Sequence, residues 1–301
     1  MAEHRPGFLL VDKEGGWTSH DVVAKVRGMT RSKKAGHAGT LDPMATGLLV
    51  VGLGRATRLL RFIQDLPKEY VANVAFGVAT DSLDADGAIL SREPMPVSFD
   101  DVRAVLDRFI GQIMQIPPMV SALRVDGRRL YELARAGQEI ERPARPVHVY
   151  SIDLVDFAPS DYPEATIRVV CGKGTYIRSL ADDIAQALGG RAHLAALRRT
   201  RVGSLDVDSA GHRIAALEKA ADEQRLESLV LPPAAGLVDL GSVEADPGTA
   251  EAVRDGAQFP GSVFGVDPED CRPFRVLDQS GRLLAVYRMS GPKAVVEVVL
   301  S

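Results

Sequence analysis

The sequence predicts an α+β fold: a central, mainly antiparallel mixed sheet flanked by helices, with a small β-rich C-terminal domain. Three observations lead there. Strand-patterned and helix-patterned segments follow one another without the regular βαβ alternation of a doubly wound sheet. The 301 residues lie near the limit, roughly 250–300 residues, at which single cores stop growing, so two domains of unequal size are expected. Composition shifts to Pro, Gly and Ala at "LPPAAGLVDLG", the best linker candidate, which separates residues 1–232 from residues 236–301.

Taken in order, "FLLVDK" reads as a buried strand and "TSHDVVAKVRG" as a helix with a Ser or Thr N-cap. "TGLLVVGLG" is a second apolar strand, leading through Gly54 into an amphipathic helix, "RATRLLRFI". "KEYVANVAFGVAT" alternates as a half-buried strand does and runs into a turn-rich acidic loop, "DSLDADG". "SFDDVRAVLDRFIG" is a capped helix, with Ser98 and Asp101 in capping-box spacing and Gly111 beyond its end. The arginine-rich stretch opening with "MVSALRVDGRRLYELARAG" alternates strand and helix; "ATIRVVCGKGTYIRSLADDIAQALGG" then gives a strand, a tight turn and a helix. Beyond the linker, short strands surround one helix, "PGTAEAVRDGA", and the chain closes on two strand-like runs, "RLLAVYRMS" and "AVVEVVL". There are no internal repeats.

With 46% hydrophobic and 25% charged residues the composition is that of a soluble globular protein, and no apolar run approaches the roughly 20 residues of a membrane-spanning helix. The first residues fit neither a signal peptide nor a transit peptide, so a cytoplasmic location is expected. Cys171 and Cys271 are too far apart for a Cys-x-x-Cys site and read as ordinary semi-buried thiols. The six histidines show no zinc-binding spacing, so no metal is expected. The net charge of −4 argues against nucleic acid, but its distribution does not. From Val22 to Lys68 nine bases face two acids, "GRAHLAALRRTR" adds four bases, and the stretch from Gly211 to Ser301 carries fourteen acids against nine bases. An acidic tail therefore masks basic patches, which are either solvated faces or a phosphate-binding surface.

"GLGRAT" follows a strand and opens a helix, but Thr57 stands where a third glycine would be and no ribose-binding acid follows, so close packing of Gly52 and Gly54 is the better reading. "CGKGTY" lacks the phosphate-loop frame. Asp42, followed by Pro43, reads locally as an N-cap with proline at N1. Yet "GHAGT" and "ATG" surround it with small residues that leave backbone open to a ligand. Taken singly, Arg178 reads as a solvated surface arginine, Tyr70 as packing in its strand, and His37 as an exposed loop histidine.

Together these segments resemble the TruB family of tRNA pseudouridine synthases, bacterial enzymes that act on the T-loop uridine at tRNA position 55. "GHAGTLDPMATGLLVVGLGRATR" is similar to the family's catalytic motif, "KEYVANVAFGVATDSLDADG" to its tyrosine strand and acidic loop, and "CGKGTYIRSLADDIAQALG" to its arginine motif. "PPMVSALRVDGRRLYELARAG" and "AHLAALRRTRVG" match in order and spacing, so the resemblance runs from about residue 8 to about residue 203. One departure is Glu14, where the family commonly has proline; the C-terminal part resembles the family's small PUA-like appendage only loosely.

The resemblance implies a pseudouridine synthase fold and a cofactor-free, metal-free isomerase that flips its target base out of a tRNA T-stem-loop. It places the nucleophile at Asp42, the active-site tyrosine at Tyr70 and the aspartate's arginine partner at Arg178. It places His37 on the flipped T-loop nucleotides and Leu197 along the base pocket, with Tyr176 and Lys13 near the site. Arg58, in the basic helix after the motif, and the arginines of 124–145 and of "LRRTR" are expected to grip phosphates. A single ionised acid suits this chemistry, since a second carboxylate nearby would raise the pKa of the first. A monomer is the default. The rival of a different class is a non-catalytic tRNA-binding or tRNA-folding chaperone on the same scaffold; a dinucleotide-dependent enzyme comes third.

Overall fold

The computed structural model describes residues 5–120, 124–125, 128–129 and 140–300. Apart from a short ladder pairing Arg124–Val125 with Arg128–Arg129, the strand and helix expected across 121–139 lie outside the described residues, as do the side chains of the arginines there. The chain divides into two compact units. One comprises Met1–Asp42, Gly47–Leu66 and Gly203–Ser301; the other, Pro43–Thr46 and Pro67–Val202.

In the first unit the apolar strand Gly7–Lys13 pairs antiparallel with Thr46–Leu53, with Leu10 opposite Val50. The short strand Ala35–His37 pairs with the same partner, placing His37 opposite Val51. Helix Ser19–Thr30 starts where predicted: Thr18 and Asp21 close a capping box, and Arg31, in the left-handed region at φ 50°, ends it. The helix expected from Gly54 is instead a 3-10 turn, Gly54–Leu59, leading into a short α-helix, Leu60–Gln64. Gly54 sits at φ 57°, and the Thr57 hydroxyl donates to the Gly54 carbonyl at 2.8 Å, local bonding that competes with an α-turn. Gly52 does serve close packing, since a Cβ there would lie 3.0 Å from Leu60, whereas Gly54 serves the turn.

The Pro-Gly-Ala segment is no loose tether. Pro233–Gly236 is a helical turn, Phe8 and Leu231 exchange backbone hydrogen bonds of 2.9 and 2.7 Å, and a Cβ on Gly236 would lie 2.2 Å from the Phe8 ring. Beyond it lies the β-rich C-terminal region. Five strands follow the spatial order Gly241–Glu244, Phe274–Leu277, Leu283–Ser290, Lys293–Val299, Phe259–Pro260, the first pair parallel and the others antiparallel. Helix Pro247–Arg254 is capped by Asp246, and Phe264, Phe274, Tyr287 and Met289 centre a core of this region's own.

In the second unit five strands run antiparallel in the order Ala192–Val202, Lys68–Phe76, Glu164–Cys171, Arg145–Ala158, Gly111–Gln115. The α+β class and the mainly antiparallel sheet follow prediction. Helix Phe99–Leu106, with the Ser98–Asp101 capping box formed, packs on Arg145–Ala158 and on helix Ile177–Ala187. The latter helix packs on Ala192–Val202 and Lys68–Phe76 and buries Ile177, Leu180, Ala181 and Ile184. Neither cysteine is semi-buried: Cys171 is fully enclosed, its thiol pushed up to about 11 by desolvation, and Cys271 is exposed.

Candidate active site

Asp42 stands in the loop between the strands Ala35–His37 and Thr46–Leu53. The residue before it is fixed from both sides of its backbone. The Leu41 N–H donates to the Ser19 hydroxyl at 2.9 Å, and that hydroxyl donates to the Leu41 carbonyl at 3.1 Å, with both residues buried. No helix follows Pro43; the chain bends and enters a strand, so the N-cap reading of Asp42 does not hold. Asp42 is half-buried.

His37, also half-buried, meets His20 edge to face, with ring centroids 5.6 Å apart and planes at 87°. Its carbonyl accepts from Gln64 Nε2 at 3.3 Å. Lys13 is fully buried; its ammonium donates to the carbonyls of Glu14 at 3.0 Å and Trp17 at 2.7 Å, which pins the loop between them. Arg58 is exposed, and its Nη1 donates to the Val299 carbonyl at 2.9 Å.

In the second unit, Tyr70 is half-buried on Lys68–Phe76, opposite Arg199 of the neighbouring strand, while Leu197 lies opposite Ala72. Residues two apart on a strand share a face, and so do directly paired residues. Tyr70, Ala72, Leu197 and Arg199 therefore project to one side of the sheet. Arg199 is 1% exposed, so it does not belong to a surface clamp; in "LRRTR" only Arg201 is fully exposed. The Thr46 hydroxyl, four residues after Asp42, donates to the Leu197 carbonyl at 3.5 Å.

Tyr176 immediately precedes helix Ile177–Ala187, and the buried Gln115 amide grips its backbone. Tyr176 N–H donates to Gln115 Oε1 at 2.8 Å, and Gln115 Nε2 donates to the Tyr176 carbonyl at 3.0 Å. Arg178, in the first turn, is only 2% exposed, which overturns its reading as a solvated arginine. Its guanidinium donates to the carbonyls of Ser82 at 2.7 Å and Val120 at 2.8 Å, and its Nη1 lies 3.4 Å from Asp84 Oδ2. Asp84 in turn accepts from the Ser82 hydroxyl at 2.5 Å and the Asp86 N–H at 3.2 Å. A buried acid thus accompanies Arg178, from a loop that composition alone marks as a turn. Ninety-odd residues separate the pair in sequence, and no local pattern joins them.

Farther along the same helix Asp182 pairs with Arg191 through two hydrogen bonds, of 2.8 and 2.9 Å, and receives the Ala192 N–H at 3.3 Å, which anchors the start of the strand carrying Leu197. Its neighbour Asp183 is pushed up to about 6 by burial, with the Asp182 charge adding to the effect. Among the described residues no group of three or more His, Cys, Asp or Glu could hold a metal, and no helix is long and apolar enough to cross a membrane.

Residues 27–177 match the model of the TruB family pseudouridylate synthase N-terminal domain, and residues 178–238 that of the tRNA pseudouridylate synthase B C-terminal domain. The chain is 43% identical over 287 residues to tRNA pseudouridine synthase B of Ralstonia nicotianae, covering 95% of this chain and 91% of that one. With its counterpart in Leifsonia xyli it shares 51% identity over 220 residues, 71% of this chain and 72% of the other. A solved Cbf5–Nop10–Gar1 complex superposes with a TM-score of 0.77 at 28% identity, covering 98% of this chain and 85% of that one. An H/ACA RNP bound to a substrate RNA containing 2'-deoxyuridine gives 0.76 at 26% identity, covering 98% and 85%. The chain belongs to the TruB family of pseudouridylate synthases and is an isomerase.

Proposed function

We propose that the chain converts the uridine at position 55 in the T-loop of tRNA to pseudouridine, with Asp42 as the nucleophile. The observation that carries this reading is the reciprocal Ser19–Leu41 clamp, which fixes the backbone next to Asp42 inside the segment matched by the family model. A nucleophile works best when its geometry is set before the substrate arrives.

The reaction breaks the N1–C1′ bond, turns the uracil and rejoins it through C5, moving the C5 proton to solvent. It is redox-neutral and consumes no net water, so it requires no cofactor. Asp42 supplies the electron pair, at the ribose C1′ or at the uracil ring. In this reading Arg178 is the cation that orients Asp42, and its three contacts to Ser82, Val120 and Asp84 hold the guanidinium in place. Tyr70 stacks on the uracil and handles its C5 proton, Leu197 and Tyr176 line the pocket, and His37 steadies the opened loop. Extruding a stacked base costs a few kcal/mol, which phosphate contacts and aromatic stacking offset.

Residues 1–232 form the catalytic domain in this proposal and residues 236–301 a PUA-like accessory domain, acting as a cytoplasmic monomer. The separate core of the C-terminal region supports that boundary, as does the end of the family match at residue 238, just before the strand Gly241–Glu244.

The test is tritium release from a [5-³H]uridine-labelled T-stem-loop. Wild type is expected to release tritium, and Asp42→Asn to bind the stem-loop with nearly unchanged affinity and release none. Comparable release by the mutant removes Asp42 as nucleophile. Binding without release by either chain favours the chaperone reading.

A further inference from the structure

One buried amide in the second unit has no part in the proposed chemistry. Gln115 ends the strand Gly111–Gln115, at the edge of the sheet, and is only 1% exposed. Register puts it on the face that carries Tyr70. Gln115 lies opposite Arg145; Val149, four residues on from Arg145, lies opposite Cys171; and Val169, two before Cys171, lies opposite Tyr70.

From that face the Gln115 side chain reaches the entry to helix Ile177–Ala187. Tyr176 is the N-cap of this helix, and its side chain supplies no capping bond. The entry is fixed from outside instead. Gln115 Oε1 accepts from the Tyr176 N–H at 2.8 Å, and Gln115 Nε2 donates to the Tyr176 carbonyl at 3.0 Å. The same carbonyl accepts the Leu180 N–H at 3.0 Å, so the amide holds the oxygen on which the first helical turn closes. A peptide presents one donor and one acceptor, and a carboxamide answers both at once; a carboxylate only accepts and an ammonium only donates. The chain beyond Gln115 ties down the next residues of the helix. The Ser179 hydroxyl donates to the Ile116 carbonyl at 2.9 Å and Arg178 Nη2 to the Val120 carbonyl at 2.8 Å, while the buried Pro117 and Pro118 fix φ between them. Those two carbonyls are backbone groups that any residue offers, whereas the paired bonds to Tyr176 depend on the side chain at 115.

We propose that Gln115 is a positioning residue for the isomerisation, its carboxamide holding the Tyr176 peptide and with it the helical turn that presents Arg178. The inference rests on the roles given to Arg178 and Tyr176 above and adds the residue that sets them. The experiment uses the full chain with the labelled T-stem-loop, measuring kcat and KM for tritium release, Kd and the urea midpoint. Gln115→Met keeps the length of the side chain and removes both bonds; kcat is expected to fall about ten- to a hundredfold with KM and Kd nearly unchanged. Gln115→Glu supplies a second readout. Ionised, its carboxylate accepts from the Tyr176 N–H but cannot donate to the carbonyl; protonated, it does both. Its kcat relative to wild type at the same pH is expected to rise as pH falls from about 8 to about 5, while the ratio for Gln115→Met stays flat. The charged groups on the adjoining elements, Arg142, Arg145, Arg178, Asp84, Asp182 and Asp183, are common to wild type and variants and divide out of the ratio. Gln112→Glu makes the same change on the exposed outer face of the strand and should alter none of these constants.

Wild-type kcat in Gln115→Met overturns the inference, and so does a loss confined to KM and Kd, which makes Gln115 a binding group. A ratio for Gln115→Glu that does not change with pH overturns the paired hydrogen bonds as the cause, and it decides the matter if Gln115→Met shows no folding transition. An equal loss in Gln112→Glu overturns the locality. Wild-type turnover with a normal Gln115→Met sinks only the positioning role, whereas absence of wild-type turnover sinks the reading on which it rests and the inference with it.

Discussion

The Ser19 hydroxyl accepts from the Leu41 N–H and donates to the Leu41 carbonyl, and Ser19→Ala removes both bonds. A buried backbone N–H left unsatisfied costs about 1–3 kcal/mol, and the segment is expected to relax to recover a partner, which displaces Asp42. We expect kcat to fall about tenfold or more while KM changes little, with Ser19→Thr recovering most of the loss; a mutant that loses only stem-loop affinity argues against the positioning role. Asp84→Ala should be harsher on folding. Deleting one member of a buried ion pair costs roughly 3–5 kcal/mol, readable as a lowered urea midpoint, and a midpoint close to wild type would show that Arg178 does not depend on Asp84. At this scale the sequence was only partly legible. Asp42 and Tyr70 stand in dense motifs, but arginine is by default a surface residue, and nothing near Arg178 announces its burial. Its partners come from residues 82, 84 and 120, which only the fold brings to it.

Elements were most legible where their signals are local. Both capping boxes, Thr18 with Asp21 and Ser98 with Asp101, form as the spacing requires, because the reciprocal bonds lie within one turn. Ser98→Ala should therefore cost about 1 kcal/mol in chemical denaturation. The 3-10 start at Gly54 escaped prediction because helical periodicity does not distinguish it from an α-turn and only the backbone conformation does. Helix Ile177–Ala187 carries a pH signature of its own. Burial and the neighbouring Asp182 raise the Asp183 carboxyl to about 6, so the folded state holds this proton more tightly than the unfolded chain. The sign follows: the stability linked to Asp183 is present below the ordinary carboxylate range and is lost as pH rises through about 6. Asp183→Asn is expected to raise the melting temperature at pH 7 to 8, with the difference from wild type vanishing near pH 4. A constant difference across that range would remove the titration from the explanation.

For the whole molecule, net charge was the least informative quantity and charge placement the most. The nine bases between Val22 and Lys68 suggested a phosphate grip, but three are committed elsewhere. Lys68 is buried, Lys25 pairs with Glu218, and Arg61 pairs with Glu297 at 2.6 Å. The remaining six bound the number of phosphates this run can neutralise. Each neutralised phosphate contributes about −0.7 to −0.9 to the slope of log K against log salt, so six give about −4 to −5. Raising salt from about 50 to about 200 mM should then weaken stem-loop binding by at most about a thousandfold through this run. Replacing the exposed Lys33 and Lys34 with alanine should reduce the slope by up to about two. An unchanged slope in that double mutant would take the run out of the RNA interface, and a flat wild-type slope would leave no electrostatic grip on RNA at all. A wild-type slope steeper than about −5 would assign the surplus to cations elsewhere, the exposed Arg201 being the first to test.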